Sequence, residues 1–131
     1  MPNPLDVAVF VGSLRRESFT RRIAIALGTL APPELKLEIV EIGSVSFYKQ
    51  DLETRNPPAE WTRLRVRVKR ADAVPFQSLV FLNVPTMQQP EAYAGGVATL
   101  VDEKGDISND DTRHFLATFL KAFAAWMDVQ R

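Results

Sequence analysis

Residues 6–27, DVAVFVGSLRRESFTRRIAIAL, decide the fold. An apolar run, Val7–Val11, stops at Gly12 and gives way to a turn carrying Ser13, Arg15, Arg16, Ser18 and Thr20. Ile23, Ala24 and Leu27 then recur at helical spacing. A buried strand that feeds a polar turn and then a helix N-terminus is a way of holding phosphate. The helix end offers unpaired N–H groups and the positive end of its dipole, and hydroxyls and a guanidinium add donors. The stretch therefore reads as an anion site at the first strand–helix turn.

The composition narrows what surrounds that turn. The chain has 131 residues, which suits a single core. Basic and acidic residues number 16 each, so net charge is zero, which argues against a nucleic-acid or membrane-surface partner. With no cysteine, disulfides, thiol catalysis and thiolate metal sites are excluded. The first residues, MPNPLDVAVF, lack the basic and long apolar regions of a signal peptide, and no apolar run is long enough to span a bilayer. The expectation is a cytoplasmic protein.

Outward from the opening stretch, Val7–Val11 reads as a strand buried on both faces of a parallel sheet. A helix runs from about Ser18 to Leu30 and stops at Pro32 and Pro33. Leu35–Ile42 alternates as a second strand nearer an edge, and a loop follows to Pro58. Leu64–Arg70, LRVRVKR, alternates like a strand, yet Trp61, Leu64, Val68 and Ala71 fall at helical spacing behind a proline pair, so a helix is expected from Ala59 to Arg70. Ala71–Val74 reads as the entry to a third strand, interrupted by Pro75, and Leu79–Val84 as strand or buried helix. Gly95 and Gly96 read as a strand end, Asp102–Asp106 as a turn. A closing helix is expected near Asn109, with Ser108 and Asp111 as a capping box and Thr112, Phe115, Phe119, Leu120, Phe123, Trp126 and Met127 as its apolar face. This β-α-β-α order is an α/β fold with a mostly parallel sheet.

VGSLRRESFTRRIA, residues 11–24, resembles the phosphate-loop signature of the NAD(P)H-dependent FMN reductases, flavodoxin-like proteins that include quinone, chromate and azo-dye reductases. FYKQDLE (47–53), ADAV (71–74), LVFLNVPTMQQPEAYAG (79–95) and DEKGDISNDDTRHFLATFLKAFAAW (102–126) resemble later parts of the same family in order, so almost the whole chain is covered. The resemblance implies a three-layer flavodoxin-like parallel sheet and FMN held through Ser13, Arg15, Ser18, Phe19 and Thr20. It also implies NAD(P)H as co-substrate and a quinone, metal oxyanion or flavin as the small-molecule electron acceptor. No side-chain acid or base is needed, because the flavin carries the chemistry.

One departure from the family is specific. After Val74 the family continues through a Pro-Glu-Tyr-Asn-type loop that holds the isoalloxazine ring, then through further strands and helices. Here Val74 passes through Pro75, Phe76 and Gln77 to Ser78, Leu79 and Val80. The gap amounts to roughly 50 residues at typical element lengths. The expectation is one domain, residues 1–131, shortened near 74–78. Losing central strands removes one wall of the ligand crevice and leaves edges that a swapped or edge-paired homodimer would cover. Two readings stay open: an FMN reductase, or a shortened non-catalytic relative that no longer binds FMN and serves as an oligomerisation or anion-binding module.

Other candidates carry less. Phe47, Tyr48 and Asp51 read as a loop packed by its own aromatics, or as one that approaches flavin or a partner subunit. Arg63, Arg65, Arg67, Lys69 and Arg70 read as a solvated helix face, with attraction of an NADPH phosphate as the alternative. His114, the single histidine, is expected at the surface and outside the chemistry. No His, Asp and Glu set has metal-ligand spacing, and no Ser-His-Asp arrangement is present.

Overall fold

The computed structural model describes residues 3–15, 17–47, 49–73, 87 and 95–130. Seven elements follow in order: β1 (Leu5–Phe10), α1 (Phe19–Leu30), β2 (Leu35–Val40), α2 (Gln50–Arg55), α3 (Ala59–Arg70), α4 (Val97–Leu100) and α5 (Asp110–Val129). β1 and β2 pair in parallel, in register from Leu5 opposite Leu35 to Phe10 opposite Val40. On the other edge of β1, Val7 bridges in parallel to Ala73. Asp72 N–H donates to Asp6 O at 2.7 Å, and Ala8 N–H donates to Ala73 O at 3.0 Å. Strand backbones alternate the edge they address, so Asp6 and Ala8 serve Asp72 and Ala73 while Leu5, Val7 and Val9 serve β2. β1 is thus the inner strand of the described sheet.

The two faces of β1 take different partners, because successive side chains point oppositely. Leu5 and Val7, with Leu35, pack against Leu120, Ala124 and Met127 of α5. A second cluster joins Ala26 of α1 to Leu116 of α5, Val101 and Ile107. On the opposite face Asp6 meets α3. Arg67 forks onto its carboxylate at 3.1 and 2.9 Å and reaches Glu38 of β2 at 3.2 Å. Asp6 N–H also donates to the Asp72 carboxylate at 2.7 Å, tying the chain after α3 to the same residue. The layers are therefore α1 and α5, the sheet, and α3.

Several boundaries and faces differ from expectation. The first strand starts at Leu5 and ends at Phe10, and the second ends at Val40. The loop after β2 contains α2, with Asp51 and Glu53 in its first turn and Arg55 in its last, a charge order its dipole favours. The alternating LRVRVKR is helical throughout, as its proline-led start implies. Its cations are not one solvated face, since Arg67 is half-buried in the Asp6 and Glu38 carboxylates and Arg65 pairs with Glu53. The strand expected to end at Gly95 and Gly96 lies outside the described residues. Gly96 itself adopts φ 63 as the cap of α4, a left-handed conformation that glycine takes without strain.

The closing helix is capped by Asn109, whose side chain accepts from Thr112 N–H at 3.0 Å, rather than by Ser108. The Ser108 hydroxyl donates instead to Thr99 O at 3.1 Å, pinning the Asp102–Asp106 turn to α4. The buried face of α5 is Leu116, Leu120, Ala124 and Met127, with Phe119, Phe123 and Trp126 on its flanks and Phe115 45% exposed. Close approach to α1 and the sheet favours the smaller residues on the contact line and leaves the rings beside it. His114 is exposed, as expected. The expected element at Leu79–Val84 and the junction at 74–78 lie outside the described residues.

Two glycine substitutions test this packing in opposite directions. Gly105 has φ 87, and a Cβ there would lie 2.5 Å from Ile25 Cγ2 and 3.2 Å from the Ala26 backbone nitrogen. Gly105→Ala should cost about 1–3 kcal/mol in denaturant unfolding. Gly28 is exposed within α1 with nothing within 4 Å of an added Cβ, so Gly28→Ala should stabilise by about 0.5–1 kcal/mol.

Candidate functional site: the turn between β1 and α1

β1 delivers the chain at its C-terminal end into residues 11–18, and α1 begins at once. Val11 is buried, anchoring the turn to the core. Ser13 Oγ accepts from Arg15 N–H at 3.4 Å, and Ser18 N–H donates to Arg15 O at 3.1 Å. Ser18 is buried and caps α1, its Oγ accepting from Arg21 N–H at 3.3 Å. The remaining first-turn N–H groups of α1 have no partner within the helix.

Around that helix end lies an open cavity of about 530 Å³ lined by Ser13, Arg15, Glu17, Ser18, Phe19 and Thr20. All five residues singled out as an anion site thus line one concavity. Glu17, an acid within the turn, was not singled out. The signal for it was the sequence order itself, since a side chain between Arg15 and Ser18 has little choice but to flank the same helix end. Arg16 lies outside the described residues.

The other cations nearby are already engaged. Arg21 forms a two-point ion pair with Glu41, just beyond β2, both contacts at 2.7 Å. Arg22 lies over the ring of Phe19 at 5.2 Å from its centroid. Arg15 is exposed and forms no ion pair among the described residues, so its guanidinium remains available to a ligand. The Arg21–Glu41 pair also fixes the position of the helix start relative to the end of β2. Beyond it, Gly43 closes on the turn, an added Cβ there lying 3.6 Å from Leu14 Cδ2.

In the loop after β2, Phe47 does not take part in packing. Phe47 is 93% exposed, while Trp61 holds the loop by donating from its indole N–H to Ser46 O at 3.0 Å. Asp51 is exposed on α2, and Tyr48 lies outside the described residues. Among the described residues no group of His, Asp and Glu is arranged to hold a metal ion, and no helix is long and apolar enough to cross a membrane.

Parallel strands wound with helices on both faces, and an oxyanion-suited cavity at the first strand–helix turn, define a flavodoxin-like α/β protein. The chain belongs to the NADPH-dependent FMN reductase family, whose model matches residues 5–80. It is 37% identical to a quinone reductase of Pseudomonas putida over 185 aligned positions that take in 100% of this chain and 99% of that protein. Against the 131 residues here, that alignment leaves roughly 54 positions of the relative without a counterpart. A 2-hydroxy-1,4-benzoquinone reductase from Burkholderia sp. is 26% identical, over 97% of this chain and 98% of its own length. Among solved structures, the flavoenzyme NAD(P)H:(acceptor) oxidoreductase FerB from Paracoccus denitrificans shares the fold with a TM-score of 0.74 at 22% identity. That match covers 93% of this chain and 96% of FerB.

The Arg21–Glu41 pair yields a pH prediction. The hydrogen bond from Arg21 holds the Glu41 carboxyl below its ordinary value of 4.5, outweighing the opposing desolvation, with the Arg21 charge adding to it. A depressed carboxyl pKa stabilises the folded state above the ordinary value and loses that contribution as pH falls through the lowered one. Glu41→Gln should therefore lower Tm by a small margin at neutral pH, and the gap to wild type should close on acidification below pH 4.5. Ser18→Ala, which removes the α1 cap, should cost about 1 kcal/mol.

Proposed function

We propose that the turn at residues 13–20 holds the phosphate end of FMN, and that the protein passes reducing equivalents from NAD(P)H to a quinone. The observation that carries this reading is the cavity itself. Two hydroxyls, a free guanidinium and the start of α1 converge where an anion gains most from helix-end N–H groups. The donor set suits a phosphate monoester. Arg15 supplies a charged donor, Ser13 and Thr20 supply hydroxyls, and Ser18 keeps the helix start fixed while its N–H neighbours face the ligand.

Bound FMN would accept hydride from the nicotinamide and return electrons to the acceptor. The side chains here bind and orient, and none is asked to move a proton. Phe19, 48% exposed under Arg22, offers an aromatic surface beside the phosphate donors. Family membership and the quinone-reductase names of two relatives support the assignment of the acceptor class. We assign the protein to the cytoplasm, where reduced nicotinamide is supplied. We further propose that the missing positions fall at the 74–78 junction of a single domain, and that a homodimer covers the edges this exposes.

A second reading has its own observation. The positions without a counterpart, and the lack of any Pro-Glu-Tyr-Asn string, bear on the part of the site that would hold the flavin ring. A phosphate grip without a ring wall binds flavin weakly, because much of a flavin's affinity comes from its buried apolar ring. On that reading the chain is a non-catalytic relative.

Spectroscopy separates the two. Added FMN should show a shifted visible spectrum and quenched fluorescence, NADPH oxidation should follow when a benzoquinone is supplied, and Arg15→Ala should weaken FMN binding about 10-fold or more. Unchanged FMN spectra in the presence of excess protein would favour the non-catalytic reading.

A further inference from the structure

Glu17 lines the same cavity as Arg15, Ser13 and Thr20, and it is the one carboxylate among the described residues that do so. A carboxylate in an anion site opposes the anion by direct repulsion, and at an exposed position that repulsion is moderate and salt-dependent. Of the cations on the first turn of α1, Arg21 pairs with Glu41 and Arg22 lies over the Phe19 ring. The cavity thus presents donors together with one acceptor-only group among its described lining residues. A bare anion satisfies the donors and is repelled by Glu17. A phosphate monoester whose neighbouring carbons carry hydroxyls satisfies both.

We propose that Glu17 is a specificity-determining residue, which disfavours inorganic phosphate and accepts hydrogen bonds from the hydroxyls next to the phosphate of a polyol phosphate monoester. The proposal rests on the flavin-phosphate reading of the cavity and names the part of the ligand that this reading leaves open. Glu17 is exposed, so its replacement leaves the fold intact.

The test measures binding, not turnover. FMN affinity is read from fluorescence quenching, and inorganic phosphate affinity from competition against FMN, for wild type, Glu17→Gln and Glu17→Ala, at low and high sodium chloride. Glu17→Gln should bind inorganic phosphate about 3- to 10-fold more tightly than wild type at low salt, and the gain should fade at high salt. Its gain for FMN should be smaller, because the hydroxyl contact weakens as repulsion is relieved. Glu17→Ala should lower the preference for FMN over phosphate further, having lost the acceptor altogether. Equal gains for the two ligands, or an unchanged phosphate affinity, would overturn the proposal. A wild-type protein that binds neither FMN nor phosphate would overturn the phosphate reading itself, and Glu17's role with it. That result is distinct from intact FMN binding with no Glu17 effect.

Discussion

Asp6 sits between Leu5 and Val7 on β1, and those three side chains commit the strand to two unlike neighbours. Leu5 and Val7 are 3% and 1% exposed against α5, while the Asp6 carboxylate on the other face needs a polar partner. Arg67 from α3 supplies it, forking onto the Asp6 carboxylate while also reaching Glu38 on β2. Removing Arg67 would leave the Asp6 carboxylate with the more distant Arg70 at 3.7 Å, and removing Asp6 would leave Arg67 with Glu38, so either loss weakens a partly buried network. The backbone of Asp6 meanwhile pairs with Asp72, beside the Val7–Ala73 bridge. One residue therefore ties β1 both to α3 and to the chain that follows it.

The turn between β1 and α1 inherits its geometry from that anchoring. β1 is held along its length by β2, α5 and α3, so its C-terminal end delivers Val11 and the turn to a fixed place. α1 is then pinned independently, by Ala26 in the second cluster and by Arg21 on Glu41. A helix start held from both sides keeps its N–H groups aimed without help from a ligand. Such preorganisation lowers the ordering cost of any ligand the turn would hold.

Much of this was legible in the sequence for physical reasons. The strand–turn–helix at 5–30 combines an apolar run, a glycine, a capping serine and helical periodicity, and all four point the same way. The helix over 59–70 was readable because a proline pair outweighs a short alternation. Less readable were features set by tertiary partners. The contact line of α5 depends on how closely α1 approaches, which no periodicity of α5 reveals. Asn109 displaced Ser108 as its cap because the Ser108 hydroxyl has a better partner in Thr99 O. Arg67 looked like one cation in a solvated run, and only the position of Asp6 across the sheet shows why it is drawn inward. Glu17 is not legible as part of the cavity from donor chemistry, because a carboxylate offers a phosphate no hydrogen-bond donor.

The central claim is that residues 13–20 grip the phosphate end of FMN, and amide chemical shifts read it most directly. In a titration of isotopically labelled protein with FMN, the largest backbone amide shifts should fall on Ser13, Arg15, Phe19 and Thr20, and inorganic phosphate should reproduce part of the same pattern. Shifts that spare the turn, or that fall elsewhere on the molecule, would contradict the account.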